Sequence, residues 1–408
     1  MNTLPTPALD TDIIISGAGP AGLCLARALS GRGLRITLVE QLPESELAAP
    51  GFDGREIALT QPSAQHMREL GLWDRIEPHA ISPLRDARVL NGPSPFAMTI
   101  GHQLSQQNEL GWLLSNHLIR KAAYEAVQES INTAQDITLL CGDKITALHT
   151  HAQAGHVTLA SGQRLSAKLI VAADSRFSET RRAMGISATM RDFGKTMLVC
   201  CMTHQEPHHH AAWEWFGYGQ TLALLPMNPD PATGEFRSSV VLTLPSTQIG
   251  PLMMLDPQVF ALDMQARFAQ RLGRMTLVST RHSYPLVGVY PHRFVAQRFA
   301  TVGDAAVGMH PVTAHGFNFG LLGVAALARA IHSAHAAGAD IASPPLLAAY
   351  EKTHRRATRP LYLATQLVSS LYTNDSPPAR LLRDAALRVG DALLPFKRAI
   401  AATLTGMH

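Results

Sequence analysis

Residues 13–30 read IIISGAGPAGLCLARALS, and this stretch decides the fold of the chain. A short apolar run is followed by three glycines in the spacing GxGxxG and then by a helical pattern rich in alanine and leucine. In such a loop the first glycine permits a tight turn, the second lets the backbone approach a phosphate, and the third lets the helix pack closely on the strand. The sequence therefore predicts a pyrophosphate site where the free N–H groups of the helix N-terminus favour negative charge. The residues predicted to contact the dinucleotide are Gly17, Ala18, Gly19, Pro20, Ala21 and Gly22.

A second apolar strand at residues 34–40 completes a β-α-β unit and ends at Glu40, 18 residues after Gly22. A carboxylate at this point accepts hydrogen bonds from the adenosine ribose hydroxyls and disfavours a 2′-phosphate. We therefore expect NAD or FAD rather than NADP in this loop, with Glu40 on the ribose. The chain has no second GxGxxG, so any nicotinamide cofactor would bind without a nucleotide domain of its own.

Near the other end of the chain, a second glycine-rich segment follows another short apolar run. It reads Gly303-Asp304-Ala305-Ala306, passes through His310-Pro311 and reaches Gly316-Phe317-Asn318-Phe319-Gly320. With the first loop, this segment makes the chain resemble the class A flavoprotein aromatic hydroxylases, which share the fold of p-hydroxybenzoate hydroxylase. The resemblance implies non-covalent FAD, with Asp304 on the ribityl hydroxyls. It places Gly316, Phe317 and Asn318 beside the flavin ring, where a helix N-terminus stabilises the negative charge of reduced flavin.

One fingerprint of that family departs from its usual form. The apolar run at residues 169–173 ends in Asp174 as expected, but Ser175 follows where the family has glycine. This change leaves open the geometry of the turn and any nicotinamide contact there. In the late segment, Val307 and His315 stand where the family usually has histidine and glutamine.

Further motifs are similar to those of the UbiH/UbiI/UbiF/UbiM ubiquinone-biosynthesis hydroxylases, and the similarity covers nearly the whole chain. They are Gly54-Arg55-Glu56-Ile57-Ala58-Leu59, Leu70-Gly71-Leu72-Trp73, Leu222-Ala223-Leu224-Leu225-Pro226 and Pro395-Phe396-Lys397-Arg398. The resemblance implies that Arg55 contacts the flavin or its pyrophosphate; a surface salt bridge is the alternative.

This family implies an FAD-dependent monooxygenase that hydroxylates the aromatic ring of a polyprenylated ubiquinone precursor through a C4a-hydroperoxyflavin. It would use O2 and two electrons from NAD(P)H or another donor, in an apolar site closed to water. Trp215, Leu224 and Pro226 could line the substrate, or could equally be ordinary sheet core. His310 and His315 are the candidate catalytic residues, since either could assist phenol deprotonation; hydrogen bonding to backbone is the alternative.

Three other functions remain open from the sequence. They are a monooxygenase of a soluble aromatic compound or polyketide, a flavin-dependent reductase, and a scaffold flavoprotein of a biosynthetic complex. The run His208-His209-His210 does not indicate a metal site, because three successive residues cannot converge on one ion in regular structure. Nucleic acid is also not expected as a partner, because aromatic residues make up only 6% of a chain that is slightly acidic outside its last 58 residues.

The predicted fold is α/β: a Rossmann-like FAD domain interleaved with an antiparallel β-sheet substrate domain and followed by a C-terminal helical segment. We assign residues 1–79, 100–177 and 284–345 to the FAD-binding domain, 80–99 and 178–283 to the substrate domain, and 346–408 to the C-terminal helices. Alternating apolar runs broken by proline-rich turns between residues 197 and 282 indicate the antiparallel sheet.

Charge is concentrated at the C-terminus. Residues 351–408 hold nine Lys/Arg and four Asp/Glu, a net charge of +5. The formal net charge of the whole chain is +4, so the rest of the chain is slightly acidic. Six residues fall on one apolar helical stripe flanked by arginines: Leu381, Leu382, Ala385, Ala386, Val389 and Leu393. Such a helix could bind a membrane surface or sister biosynthetic enzymes, or could pack into the core. Four scattered cysteines and the lack of a secretory signal lead us to expect a cytoplasmic protein, peripheral to the inner face of the membrane if the helix docks there.

Overall fold

The computed structural model describes residues 9–105, 107–309, 316–373 and 377–406. The strands within these ranges are β1 (Ile13–Ser16), β2 (Ile36–Glu40), β3 (Glu56–Thr60), β4 (Ser82–Leu84), β5 (Asp86–Asn91), β6 (Ala97–Gly101), β7 (Gly111–Ser115), β8 (Ile137–Cys141), β9 (Ile145–Thr150), β10 (Gly155–Leu159), β11 (Arg164–Ala167), β12 (Leu169–Ala172), β13 (Ala188–His204), β14 (Ala211–Phe216), β15 (Thr221–Met227), β16 (Phe236–Pro245), β17 (Met275–Leu277), β18 (His282–Pro291), β19 (Val295–Ala296) and β20 (Phe299–Thr301). The α-helices are α1 (Pro20–Leu29), α2 (Glu44–Ala48), α3 (Gln61–Glu69), α4 (Asn116–Thr133), α5 (Glu179–Ala183), α6 (Ile249–Met254), α7 (Pro257–Arg267), α8 (Gly316–Ala336), α9 (Pro344–Thr373), α10 (Pro377–Ala392) and α11 (Leu394–Thr405).

The first sheet has the order β19-β20-β12-β1-β2-β8 and is parallel except at β19. Strands β1 and β12 are buried along their whole length, because both faces of this sheet are covered. Ile13 and Ile15 point into a core shared with α1, α4 and α8, while Ile14 points into a second core beneath the small antiparallel sheet β9-β10-β11. This is the nucleotide-binding unit that the GxGxxG loop predicts.

The second large sheet has the order β17-β13-β16-β15-β14-β5-β6, with β18 also paired to β13. All its pairs are antiparallel except the parallel pair of β14 and β5. One face packs on α6 and α7 around Phe260, Met264 and Phe268. We call this the outer face, and we call the opposite face, which meets the nucleotide-binding unit, the inner face.

The contacts of the inner face identify it. Val199 of β13 lies under Gly54, where an added Cβ atom would be 2.7 Å from the valine Cγ2. Cys201 and Leu225 share a small core with Phe52. The inner face is therefore opposed to the segment that precedes β3.

The remaining elements complete the two units. Strands β3, β7 and β4 form a three-stranded sheet, and α10 and α11 cover β5 and β6 through a core that includes Leu387 and Ala401. Helix α8 is long enough and apolar enough to cross a membrane. Half of it is buried inside the protein, however, with Leu321 and Leu327 in the main core. The predicted domain limits stay a prediction; the strands of the second sheet run from Asp86 to Gly101 and from Ala188 to Pro291.

Candidate active site

The glycine loop has the shape needed to hold a phosphate. Gly17 has a φ of +98°, and a Cβ atom on Gly22 would lie 1.9 Å from the Gly17 carbonyl oxygen, so both positions require glycine. At Gly19, by contrast, an added Cβ would meet nothing within 4 Å. Helix α1 begins next, at Pro20, and no side chain caps its N-terminus. Open space at the middle glycine and uncapped N–H groups fit the pyrophosphate of a dinucleotide.

Glu40 is buried at the end of β2 and braces this loop. Its Oε2 accepts a hydrogen bond from the Ala18 N–H at 2.7 Å, and its Oε1 accepts one from the Leu42 N–H at 3.0 Å. A carboxylate has further lone pairs for a ribose hydroxyl. The predicted ribose contact stays a prediction, and the loop contact is a role that the sequence did not reveal.

The late segment packs directly on the first loop. Gly303 has a φ of +61°, and a Cβ atom there would lie 2.6 Å from the Cβ of Ala21. Cβ atoms on Gly316 and Gly320 would lie 3.8 Å from the Asp304 Oδ1 and 3.5 Å from the Gly303 Cα. The two segments thus meet at the N-terminal turn of α1, although most of the chain separates them in sequence.

Asp304 lies at this junction and is partly exposed. Arg176 donates a hydrogen bond from its guanidinium to the Asp304 Oδ2 at 3.1 Å, and a second one to the Val287 carbonyl oxygen. The Oδ1 oxygen faces the start of α8, close to Gly316. This carboxylate can therefore accept hydrogen bonds from a polyol such as a ribityl chain.

Ser175 adopts a backbone conformation that normally favours glycine. Its φ is +104°, where L-residues are strained, and its side chain is exposed. The preceding Asp174 accepts hydrogen bonds from the Ser178 hydroxyl at 2.5 Å and from the Thr180 hydroxyl at 2.8 Å. The turn therefore has a backbone conformation that favours glycine, and Ser175 adopts it at a cost in strain.

Arg55 forms an ion pair within its own turn rather than standing alone. Its guanidinium donates to the Asp53 Oδ2 at 2.6 Å and lies 5.3 Å from the centre of the Tyr284 ring. Burial alone would raise the pKa of Asp53, but hydrogen bonds from Arg55 and Asn116 lower it on balance. Burial would likewise lower the pKa of Arg55, but Asp53, helped by the charges of Tyr284 and Asp304, raises it. Arg55 is thus held charged and within electrostatic reach of Asp304, and its contact with flavin stays a prediction.

The first turn of α8 is partly occupied by structural contacts. The Asn318 side chain donates to the Ala58 carbonyl oxygen at 2.8 Å and accepts from the Thr60 N–H at 3.0 Å, which ties α8 to β3. Phe317 packs against the main core. Their predicted contacts with the flavin ring stay predictions. The two candidate catalytic histidines, at positions 310 and 315, lie outside the described residues.

The candidate substrate residues lie on the outer face, which corrects their assignment. Trp215 and Leu224 belong to the core against α7, and the Trp215 indole N–H donates to the Gly92 carbonyl oxygen at 2.8 Å. Pro226 follows the same alternation along β15 and is also buried. Side chains that point away from the nucleotide-binding unit cannot line a site in front of it. The inner face instead carries Leu225, Cys201 and their neighbours.

Two half-buried acids near this face were not identified from the sequence. Glu56 of β3 accepts a hydrogen bond from the Ser115 hydroxyl, and burial raises its pKa to about 7. Burial raises the pKa of Glu214 on β14 to about 8. A lone acid between two tryptophans in an otherwise apolar strand was the signal available in the sequence. No cluster of three metal-ligating side chains occurs within the described ranges.

Comparison with known proteins agrees with this geometry. Residues 10–362 match the model of the FAD binding domain family. The chain belongs to this family. It is 44% identical to ubiquinone hydroxylase UbiM of Neisseria meningitidis over 98% of this chain and 85% of that protein. It is 33% identical to ubiquinone hydroxylase UbiL of Rhodospirillum rubrum over 95% of this chain and 87% of that protein.

Among proteins of known structure, p-nitrophenol 4-monooxygenase PnpA of Pseudomonas putida matches with a TM-score of 0.73. The match covers 98% of this chain and 99% of that one at 18% identity, so it supports the fold alone. The predicted resemblance to class A flavoprotein monooxygenases of the UbiH/UbiI/UbiF/UbiM group is confirmed, and so is the α/β fold class.

Proposed function

We propose that this protein is an FAD-dependent monooxygenase that hydroxylates the aromatic ring of a polyprenylated ubiquinone precursor. Identity of 44% to a ubiquinone hydroxylase over 98% of the chain carries the substrate class. The junction of the glycine loop with Asp304, opposite an apolar sheet face, supports the cofactor and the reaction type. When bound, FAD supplies an electrophilic oxygen from O2 after reduction by NAD(P)H or another donor.

The residues of this chain bind and orient the cofactor. Residues 17–22 and the N-terminus of α1 hold the pyrophosphate, Glu40 the ribose and Asp304 the ribityl chain. Arg55, with its charge fixed by Asp53, balances the anionic groups of the cofactor. The inner face of the large sheet keeps water from the reacting ring.

The decisive experiment is complementation of a bacterial strain that lacks its own ubiquinone hydroxylase. We expect the wild-type gene to restore ubiquinone. The Asp304→Ala variant should purify without bound flavin, and cells that carry it should accumulate an unhydroxylated precursor, identified by mass spectrometry. Asp230→Ala, in an exposed loop of the second sheet, is the matched control and should complement. Complementation by a flavin-free Asp304→Ala protein would instead support a scaffold role.

The exposure of α10 supports docking on an anionic lipid surface. Arg383, Leu387 and Gly390 face the protein, whereas Val389 and Leu393 are 58% and 51% exposed. The α10–α11 surface, as we call it, contains the exposed apolar residues Ala385, Ala386, Val389, Leu393, Leu394 and Phe396. The side chains of Leu381 and Leu382, also part of the predicted stripe, are outside the described part of the chain.

Exposed cations accompany these apolar residues. Arg388 is 57% exposed in its pair with Asp384, and Arg398 is exposed. Apolar area together with cations is the combination that binds the boundary between headgroups and acyl chains, where polyprenyl substrates reside.

Co-sedimentation with vesicles tests this docking. We expect binding to phosphatidylglycerol vesicles that falls at high salt and in a Val389→Ser, Phe396→Ser double variant. Met254→Ser is the matched control, because Met254 is 85% exposed on the other side of the large sheet. If wild-type protein stays in the supernatant while the anionic vesicles pellet, membrane docking is overturned and a sister enzyme becomes the expected partner.

A further inference from the structure

Glu214 is on the inner face of the large sheet. Its neighbours in β14, Trp213 and Trp215, pack in the core against α7, so the alternation of the strand turns Glu214 the other way. Its register partners are Ala223 on β15 and Val89 on β5, which offer no polar group. The carboxyl therefore projects from an apolar stretch of sheet.

This carboxyl is enclosed but still accessible. Neighbouring protein atoms desolvate it enough to raise its pKa to about 8, and no charged group contributes to the shift. The charged side chains of β5, Asp86 and Arg88, alternate onto the outer face; β15 has none, and Arg383 of α10 adds nothing to the pKa. Yet the side chain is only half-buried. A side chain that is surrounded by protein atoms and still partly exposed to solvent lies in a crevice.

Nothing in the described residues satisfies the Glu214 carboxyl. No hydrogen bond or ion pair reaches it there, in contrast to Glu56, which has Ser115 as its partner. A desolvated polar group without a partner is unfavourable in the folded state. The fold gains nothing from this acid that alanine would not provide, so its partner is expected to be a ligand.

The crevice lies between two apolar clusters. On one side Val89 packs beneath α10 and α11 with Leu387, and on the other Leu225 packs with Phe52 of the nucleotide-binding unit. The surroundings of Glu214 are therefore apolar on both sides, which is the environment that an aromatic ring favours.

We propose that Glu214 binds the ring hydroxyl of the substrate and accepts its proton during hydroxylation, as the catalytic base. This inference rests on the proposed function. As the O–H bond breaks, its electron pair stays on the ring oxygen and enriches the ring carbon that bonds to the incoming oxygen. That carbon then loses its hydrogen to solvent as a proton, and Glu214 returns its own proton to the ring oxygen. The ring is oxidised, one oxygen atom of O2 enters it, and the donor's two electrons reduce the other atom to water.

The proton affinity of Glu214 suits this step. A base is most effective when its pKa lies near the working pH, and general-base catalysis contributes about 10²–10⁴-fold in rate. We therefore expect Glu214→Gln to bind FAD like wild type and to hydroxylate the precursor about 100-fold more slowly, with the loss in kcat rather than KM. The wild-type rate should rise with pH toward about 8, and this limb should vanish in the variant.

Two further variants separate catalysis from folding. Glu206→Gln removes an exposed carboxyl from the loop before β14 and should match wild type. Glu214→Asp keeps an acid and should restore a pH-dependent limb at reduced rate. If Glu214→Gln hydroxylates at the wild-type rate with the wild-type pH profile, the inference fails. If wild type itself produces no hydroxylated precursor, it is the proposed function that fails.

Discussion

Replacing Ser175 by glycine should stabilise the protein. Ser175 has a φ of +104°, and an L-residue in such a conformation costs about 1–3 kcal/mol. Glycine removes that strain but has more freedom in the unfolded chain, which costs about 0.4–1 kcal/mol. The side chain is exposed and makes no hydrogen bond within the described residues, so nothing else is lost. The expected net gain is about 1 kcal/mol.

Urea titration of the flavin-free protein measures this gain directly. With an unfolding entropy of about 2.1 cal/mol/K per residue over 408 residues, 1 kcal/mol raises Tm by only about 1 °C, so the denaturant midpoint is the better measure. Ser175→Ala is the matched control, because it removes the hydroxyl and keeps the strain, and we expect no gain from it. A Ser175→Gly protein no more stable than Ser175→Ala would refute the strain argument.

Three more predictions test the site. Gly22→Ala should lose both thermal stability and flavin binding, because its Cβ would lie 1.9 Å from a carbonyl oxygen of the same loop, whereas Gly19→Ala should fold normally and bind FAD at least about ten-fold more weakly by fluorescence titration. Asp174→Ala should lower the free energy of unfolding in urea by about 2–3 kcal/mol, because it leaves the hydroxyl and N–H donors at the start of α5 unsatisfied; Asp174→Asn should lose less. The folded-state pKa of Glu214 is raised to about 8 from 4.5, so its contribution to stability is complete below pH 4.5 and is lost as the pH rises through 8. Relative to wild type, Glu214→Gln should therefore stabilise the apo protein more at pH 9 than at pH 5. An equal difference between variant and wild type at both pH values would contradict this.

The parts of the fold that depend on local sequence could be predicted. The GxGxxG spacing encodes a turn, a close approach and a packing contact within six residues, and the structure uses Gly17 and Gly22 in that way. The departure at Ser175 was visible in the sequence, and its backbone shows why glycine is usual there. Such features follow from sterics that act over a few residues.

Features that depend on which side of a sheet is covered could not be predicted. Strand β15 is apolar at both alternating sets of positions, so hydrophobicity alone does not tell whether Leu224 or Leu225 faces the nucleotide-binding unit. That choice is made by α7 on one side and Phe52 on the other, which are distant in sequence. The same holds for α10, whose buried face carries Arg383 while the apolar stripe of Val389 and Leu393 is exposed.

The distribution of acids also separates the two halves of the site. Asp53 and Asp304, on the nucleotide-binding side, each have an arginine partner, so their negative charge is part of the folded structure. Glu214, on the sheet side, has no cation near enough to shift its pKa, which burial raises to about 8. Fixed charges suit a cofactor that stays bound through many turnovers. An acid whose pKa lies near the working pH suits a ligand that arrives, reacts and leaves, because it can take up a proton and release it again in each turnover.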